Sequence, residues 1–136
     1  MPIINYPSTT LAERGERIAE MASKLGRRTH LVALSVSGVD ANLAVGHLGL
    51  KLKSLTTISS PHNGSRLAEW AGSESMLYHK LGGLLPSVQV SAGSFAEMAP
   101  DNLAAIAIPT QPDVQYYSIG SSMPTPQLNP SLQWSD

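Results

Sequence analysis

An α/β fold built on a short, mainly parallel sheet of about three strands with flanking helices is predicted by three stretches of the chain. His30–Leu31–Val32–Ala33–Leu34 is an apolar run of the length of a buried strand. It feeds Ser35–Val36–Ser37–Gly38, small residues that permit a tight turn, and then a helical pattern from Val39 to Leu48. Leu52 to Ile58 is a second strand-like run, apolar and β-branched. The loop Ser59–Ser60–Pro61–His62–Asn63–Gly64–Ser65 follows it. Strand, turn, helix and strand in this order form a βαβ unit. The third strand is read at Pro112 to Gly120, around Val114, Tyr116 and Ile119, and is also expected to be buried.

The remaining elements follow from local signals. Thr10 is a helix N-cap, and Glu13 three residues on completes a capping box. Leu11, Ile18, Met21, Ala22 and Leu25 supply the apolar face of that helix. Glu13, Arg14, Glu16, Arg17, Glu20 and Lys24 read as its solvated side, and Gly26 stops it. His47 falls near the end of the next helix, where a cation suits the dipole. Arg66 to Leu85 reads as one or two short helices broken at Gly82–Gly83, with Leu77, Tyr78, Leu81, Leu84 and Leu85 as an apolar cluster. A short helix is read from Gly93–Ser94 through Met98, and another from Asn102 to Ile108. Pro124, Pro126 and Pro130 make the segment from Ser121 to Asp136 a loop.

Composition narrows the function classes. With 136 residues, 42% hydrophobic and 14% charged, the chain is sized for one domain with a core. A net charge of −1 argues against nucleic acid or an anionic membrane as an electrostatic partner. There is no cysteine, hence no disulfide and no thiolate metal site. No run approaches the roughly twenty apolar residues of a membrane span. No secretory signal is visible, so the expected location is intracellular. A dinucleotide fold also begins strand–turn–helix, but no G-x-G-x-x-G is present.

A strand that enters a helix through a serine-bearing turn has the layout of a nucleophile elbow. The turn lifts the hydroxyl off the sheet and aims the helix N-terminus at a developing oxyanion. Here the five positions are Ala33–Leu34–Ser35–Val36–Ser37, small at both ends but without glycine. The stretch Ala33–Leu34–Ser35–Val36–Ser37–Gly38–Val39–Asp40, then Ser54–Leu55–Thr56–Thr57–Ile58–Ser59–Ser60–Pro61–His62–Asn63–Gly64–Ser65, then Ala68–Glu69–Trp70, resembles the lipase branch of the α/β-hydrolase superfamily. In these triacylglycerol-lipase-like proteins of bacteria and fungi the motifs read A-H-S-x-G-G-L-D-x-R, S-x-T-T-I-x-T-P-H-x-G-S and A-D-W.

The resemblance implies a partial α/β-hydrolase fold, in one domain spanning residues 1–136. Residues 1–65 would hold the first helix and the βαβ unit, 66–112 a cap or lid, and 113–136 a strand and Pro-rich tail. It implies Ser35 as nucleophile and the Val36 backbone N–H as an oxyanion donor. Asp40, His62 and Gly64 would be structural residues near the site. Asp40 would pair with a cation or a backbone N–H, although Asn42 stands where the family has a basic residue. His62 would hold loop geometry rather than act as the triad base, and Gly64 would allow a close turn. The implied substrate is a lipid ester or acyl compound, with no cofactor and no metal, and the cap would touch lipid surfaces.

The chain departs from the family at Leu34, in place of histidine, and at Ser37, where an elbow glycine is usual. The added Cβ at Ser37 is expected to crowd the turn. No histidine follows His79, and the family's later triad acid and base motifs have no counterpart. The expectation is therefore a serine ester hydrolase-like chain that is incomplete as an enzyme. The alternative is a non-catalytic remnant or a lipid-binding pseudoenzyme.

Overall fold

The structure, a computed structural model, describes residues 10–26, 29–66, 68 and 97–122. Helix α1 (Leu11–Ser23) begins at the Thr10 capping box. Thr10 Oγ1 accepts from the Glu13 N–H at 3.2 Å, and the Glu13 carboxylate accepts from the Thr10 N–H at 2.9 Å. Then come β1 (His30–Leu34), α2 (Val36–Gly46), β2 (Ser54–Ile58), α3 (Pro100–Ile106) and β3 (Gln115–Ile119). The three strands form one parallel sheet in the order β1-β2-β3. Leu34, Ile58 and Ile119 stand in register at its C-terminal end. The helix α2 starts three residues earlier than its apolar pattern suggests, directly after Ser35. Among the described residues, no helix is long and apolar enough to cross a membrane.

Both α1 and α2 pack on one face of the sheet. Ile18 and Ala22 of α1 meet Ala41, Ala44 and Val45 of α2 over Ala33, Leu55 and Val114. Helix α2 is buried nearly all round, as its small and apolar residues require. The helices approach so closely that a Cβ on Gly15 would lie 2.5 Å from Leu43 Cδ2. A second cluster joins Leu11, Val39 and Leu43 to Ala68, Met98 and Leu103, which seats α3 against α2.

Two expectations need correcting. Strands β1 and β3 are not buried on both faces. Val32, Leu34, Tyr117 and Ile119 are 64, 63, 54 and 53% exposed, because they alternate onto the face opposite α1 and α2. Arg14 is not solvated either: it is 4% exposed, inside the α1–α2 contact. The Leu77–Leu85 cluster, His79, the start of the Gly93–Met98 helix, and the tail from 123 onward lie outside the described residues.

Gly64 is pinned in the loop after β2. Its φ is +85°, and a Cβ there would lie 2.5 Å from Pro100 Cα and 2.6 Å from Pro100 N. Backbone cannot yield as a side chain does. Gly64→Ala is therefore expected to destabilise by about 2–3 kcal/mol, read as a lower urea midpoint at unchanged slope.

Candidate functional site

The C-terminal ends of the strands carry the residues singled out from the sequence. Ser35 follows β1 and is the N-cap of α2, with φ 55° and ψ −132°. A non-glycine residue enters this region only at a cost of about 1–3 kcal/mol. The sheet holds it there: the Ser35 N–H donates to the Ile58 carbonyl at 2.8 Å, and the Ser35 carbonyl accepts from the Gly38 N–H at 3.0 Å. The residue is exposed, and its hydroxyl makes no capping bond to α2. Val36 is the first helical residue, so its N–H has no intrahelical acceptor.

The close packing of this turn falls at Gly38, not at Ser37. A Cβ on Gly38 would run into the Ser60 side chain, whereas Ser37 is accommodated half-buried within α2. Ser37 therefore does not prevent the turn. Gly38 is the residue that lets α2 reach the loop after β2.

Asp40 lies further along α2, 1% exposed, and its Oδ1 accepts from Arg14 Nε at 2.9 Å. The cation missing at Asn42 thus comes from a different helix. Arg14 also faces Glu97 at 3.9 Å, and Glu97 accepts from the Leu11 N–H at 2.7 Å, at the start of α1. The sequence carried a signal for this. Arg14 sits three residues after Leu11 and four before Ile18, on the apolar stripe.

His62 turns its Nε2 to Thr57 Oγ1 at 2.9 Å, and the Thr57 hydroxyl donates to the Tyr117 carbonyl at 3.4 Å. Thr57 therefore accepts from His62, which puts the neutral ring's proton on Nε2. Among the described residues, no histidine is bonded to the Ser35 hydroxyl. His30 Nδ1 pairs with Ser54 Oγ at 2.7 Å, and His47 Nε2 with the Ile106 carbonyl at 3.1 Å. His62 also borders a cleft of about 480 Å³, together with Asn42, Asp101 and the apolar Val39, Leu103 and Ile108. Ser35 is not among its walls.

Partial burial holds the His62 ring below the usual histidine range. The folded state therefore takes up this proton at lower pH than the unfolded chain does. Its contribution to stability is complete above the unfolded pKa near 6.5 and is lost as pH falls through the depressed value. The expected result is a urea midpoint that falls between pH 7 and pH 5 in the wild type. His62→Asn should flatten part of that slope.

No family model matches the sequence, and no curated protein matches it. Solved structures do match the fold. The mature form of the Bacillus licheniformis lipase BlEst2 superposes with a TM-score of 0.67 at 21% identity, over 85% of this chain and 50% of that one. The fold is α/β-hydrolase-like. The metagenomic carboxyl esterase MGS0156 superposes with a TM-score of 0.59 at 19% identity, over 82% of this chain and 36% of that one. The chain thus spans half or less of the length of the lipase and the esterase that share its α/β-hydrolase-like arrangement.

Proposed function

We propose that this chain is the serine-bearing unit of an ester hydrolase acting on lipid esters, with Ser35 as nucleophile. The observation that carries the proposal is the Ser35 turn: a strained, exposed serine between a parallel strand and a helix, its hydroxyl not spent on capping. In the proposed step Ser35 Oγ adds to the ester carbonyl carbon. The alcohol leaves with the serine's proton, and an acyl-serine remains. The Val36 N–H, at the positive end of α2, would bind the developing oxyanion. Asp40 would position the helix through Arg14, and His62 would hold the loop through Thr57. Lipid contact through the cap region, residues 66–112, belongs to the same proposal.

Serine without a base is a weak nucleophile at neutral pH. The described histidines are engaged with Ser54, Ile106 and Thr57, so the base and acid of a full reaction would come from outside the described residues or from another chain. The same observation favours a second reading, a unit that binds lipid esters without turning them over. Treating the purified chain with a fluorophosphonate and measuring its intact mass separates the two. One adduct, lost in Ser35→Ala and in heat-denatured protein, supports the hydrolase reading. No adduct on folded protein supports the binding reading.

A further inference from the structure

The cleft bordered by His62 has a chemistry of its own. Three elements build it: α2, the loop after β2, and α3 with the residues that follow it. Ala107, with φ 47° and ψ 59°, ends α3 in the left-handed region and turns the chain, and both Leu103 and Ile108 line the cleft. With Val39 they make apolar walls, and the small Ala104 and Ala107 leave room between them. The volume, about 480 Å³, falls in the range of small-molecule sites. The polar groups are biased toward accepting. Asp101 brings a carboxylate, and no lysine or arginine is among the described residues that line the cleft. The neutral His62 ring spends its Nε2 proton on Thr57, which leaves Nδ1 as an acceptor. Asn42 and Asn63 add amides, whose carbonyl oxygens also accept.

We propose that this cleft is a binding site for organic ammonium ions with an apolar body, of the arylalkylamine type. The apolar part lies against Val39, Leu103 and Ile108. The ammonium group has three N–H donors and no acceptor, which matches Asp101 with the His62 ring nitrogen and the amides as further acceptors. A carboxylate ligand of the same shape meets Asp101 as a like charge. A neutral alcohol fills the same space but forgoes the ion pair. Ser35 is not among the walls, so the inference stands or falls independently of the hydrolase reading.

The test titrates the full chain at neutral pH with 2-phenylethylamine, 2-phenylethanol and phenylacetate, following the backbone amide signals of Leu103 and Ala104 by NMR. The amine is protonated under these conditions. It should bind roughly fivefold tighter than the alcohol, the worth of a part-exposed ion pair, and phenylacetate should bind more weakly than either. Added salt should narrow the preference for the ammonium and leave the alcohol unaffected. In Asp101→Asn the ammonium and the alcohol should bind equally, with the affinity for the alcohol unchanged. Ala104→Phe, which places a ring at the cleft, should weaken both by about tenfold. Asp101 and Ala104 are exposed, so neither change removes core packing. Equal affinities in the wild type, a preference that survives Asp101→Asn, or undiminished binding in Ala104→Phe overturns the proposal. So does a folded wild-type chain whose signals do not move with the amine, and the salt series on the wild type decides the matter even if a variant fails to fold.

Discussion

Asp40→Ala is expected to cost about 3–5 kcal/mol of folding stability, the largest structural effect of any single change near the site. The Arg14 and Asp40 side chains are 4 and 1% exposed, and the 2.9 Å contact between them bridges α1 and α2. Both side chains are too deeply buried for water to take the place of this contact. Glu97, 31% exposed and 3.9 Å from Arg14, is too distant and too wet to replace the carboxylate. The pair is costly to break without being strongly stabilising as a pair, because both charges are desolvated on folding. Removing both separates these effects. Arg14→Met with Asp40→Leu should recover most of the loss, since apolar side chains suit the gap between two packed helices. Urea denaturation followed by circular dichroism at fixed pH reads both variants. An Asp40→Ala midpoint within about 0.5 kcal/mol of the wild type, the range of ordinary surface substitutions, would mean that Arg14 does not depend on Asp40.

The same pair shows where sequence reading reaches its limit. Element identity was legible because it depends on local chemistry. The Thr10–Glu13 box sets the start of α1, and the run from His30 to Leu34 matches β1 residue for residue. Burial was less legible because it depends on what packs across an element. Arg14 reads as one of six charges around a helix unless its place on the Leu11–Ile18 stripe is weighed, and its partner Asp40 lies 26 positions further on. Val32 and Leu34 read as core until the helices settle on the opposite face. At the candidate site, the turn that holds Ser35 between β1 and α2 was legible from the strand and the small residues around it. The tight contact of its turn was not, because Gly38 meets Ser60, 22 positions later in the chain.

Ser35→Ala and Ser35→Gly should both abolish fluorophosphonate labelling, by at least ~10³-fold, and should differ in stability. Alanine keeps the Cβ, hence the strain of φ 55° and ψ −132°, and removes only an exposed hydroxyl that caps nothing. Its stability should stay within about 0.5 kcal/mol of the wild type. Glycine accepts that conformation freely. After the entropy that glycine adds to the unfolded chain, it should gain about 1 kcal/mol. A variant that folds better yet no longer reacts is the pattern of strain retained for chemistry rather than for packing. If labelling persisted in both variants, the reacting residue would be another nucleophile and the Ser35 assignment would fall. If Ser35→Gly were no more stable than Ser35→Ala, the turn would not be storing strain. The positive φ would then give no support to a nucleophile at this position.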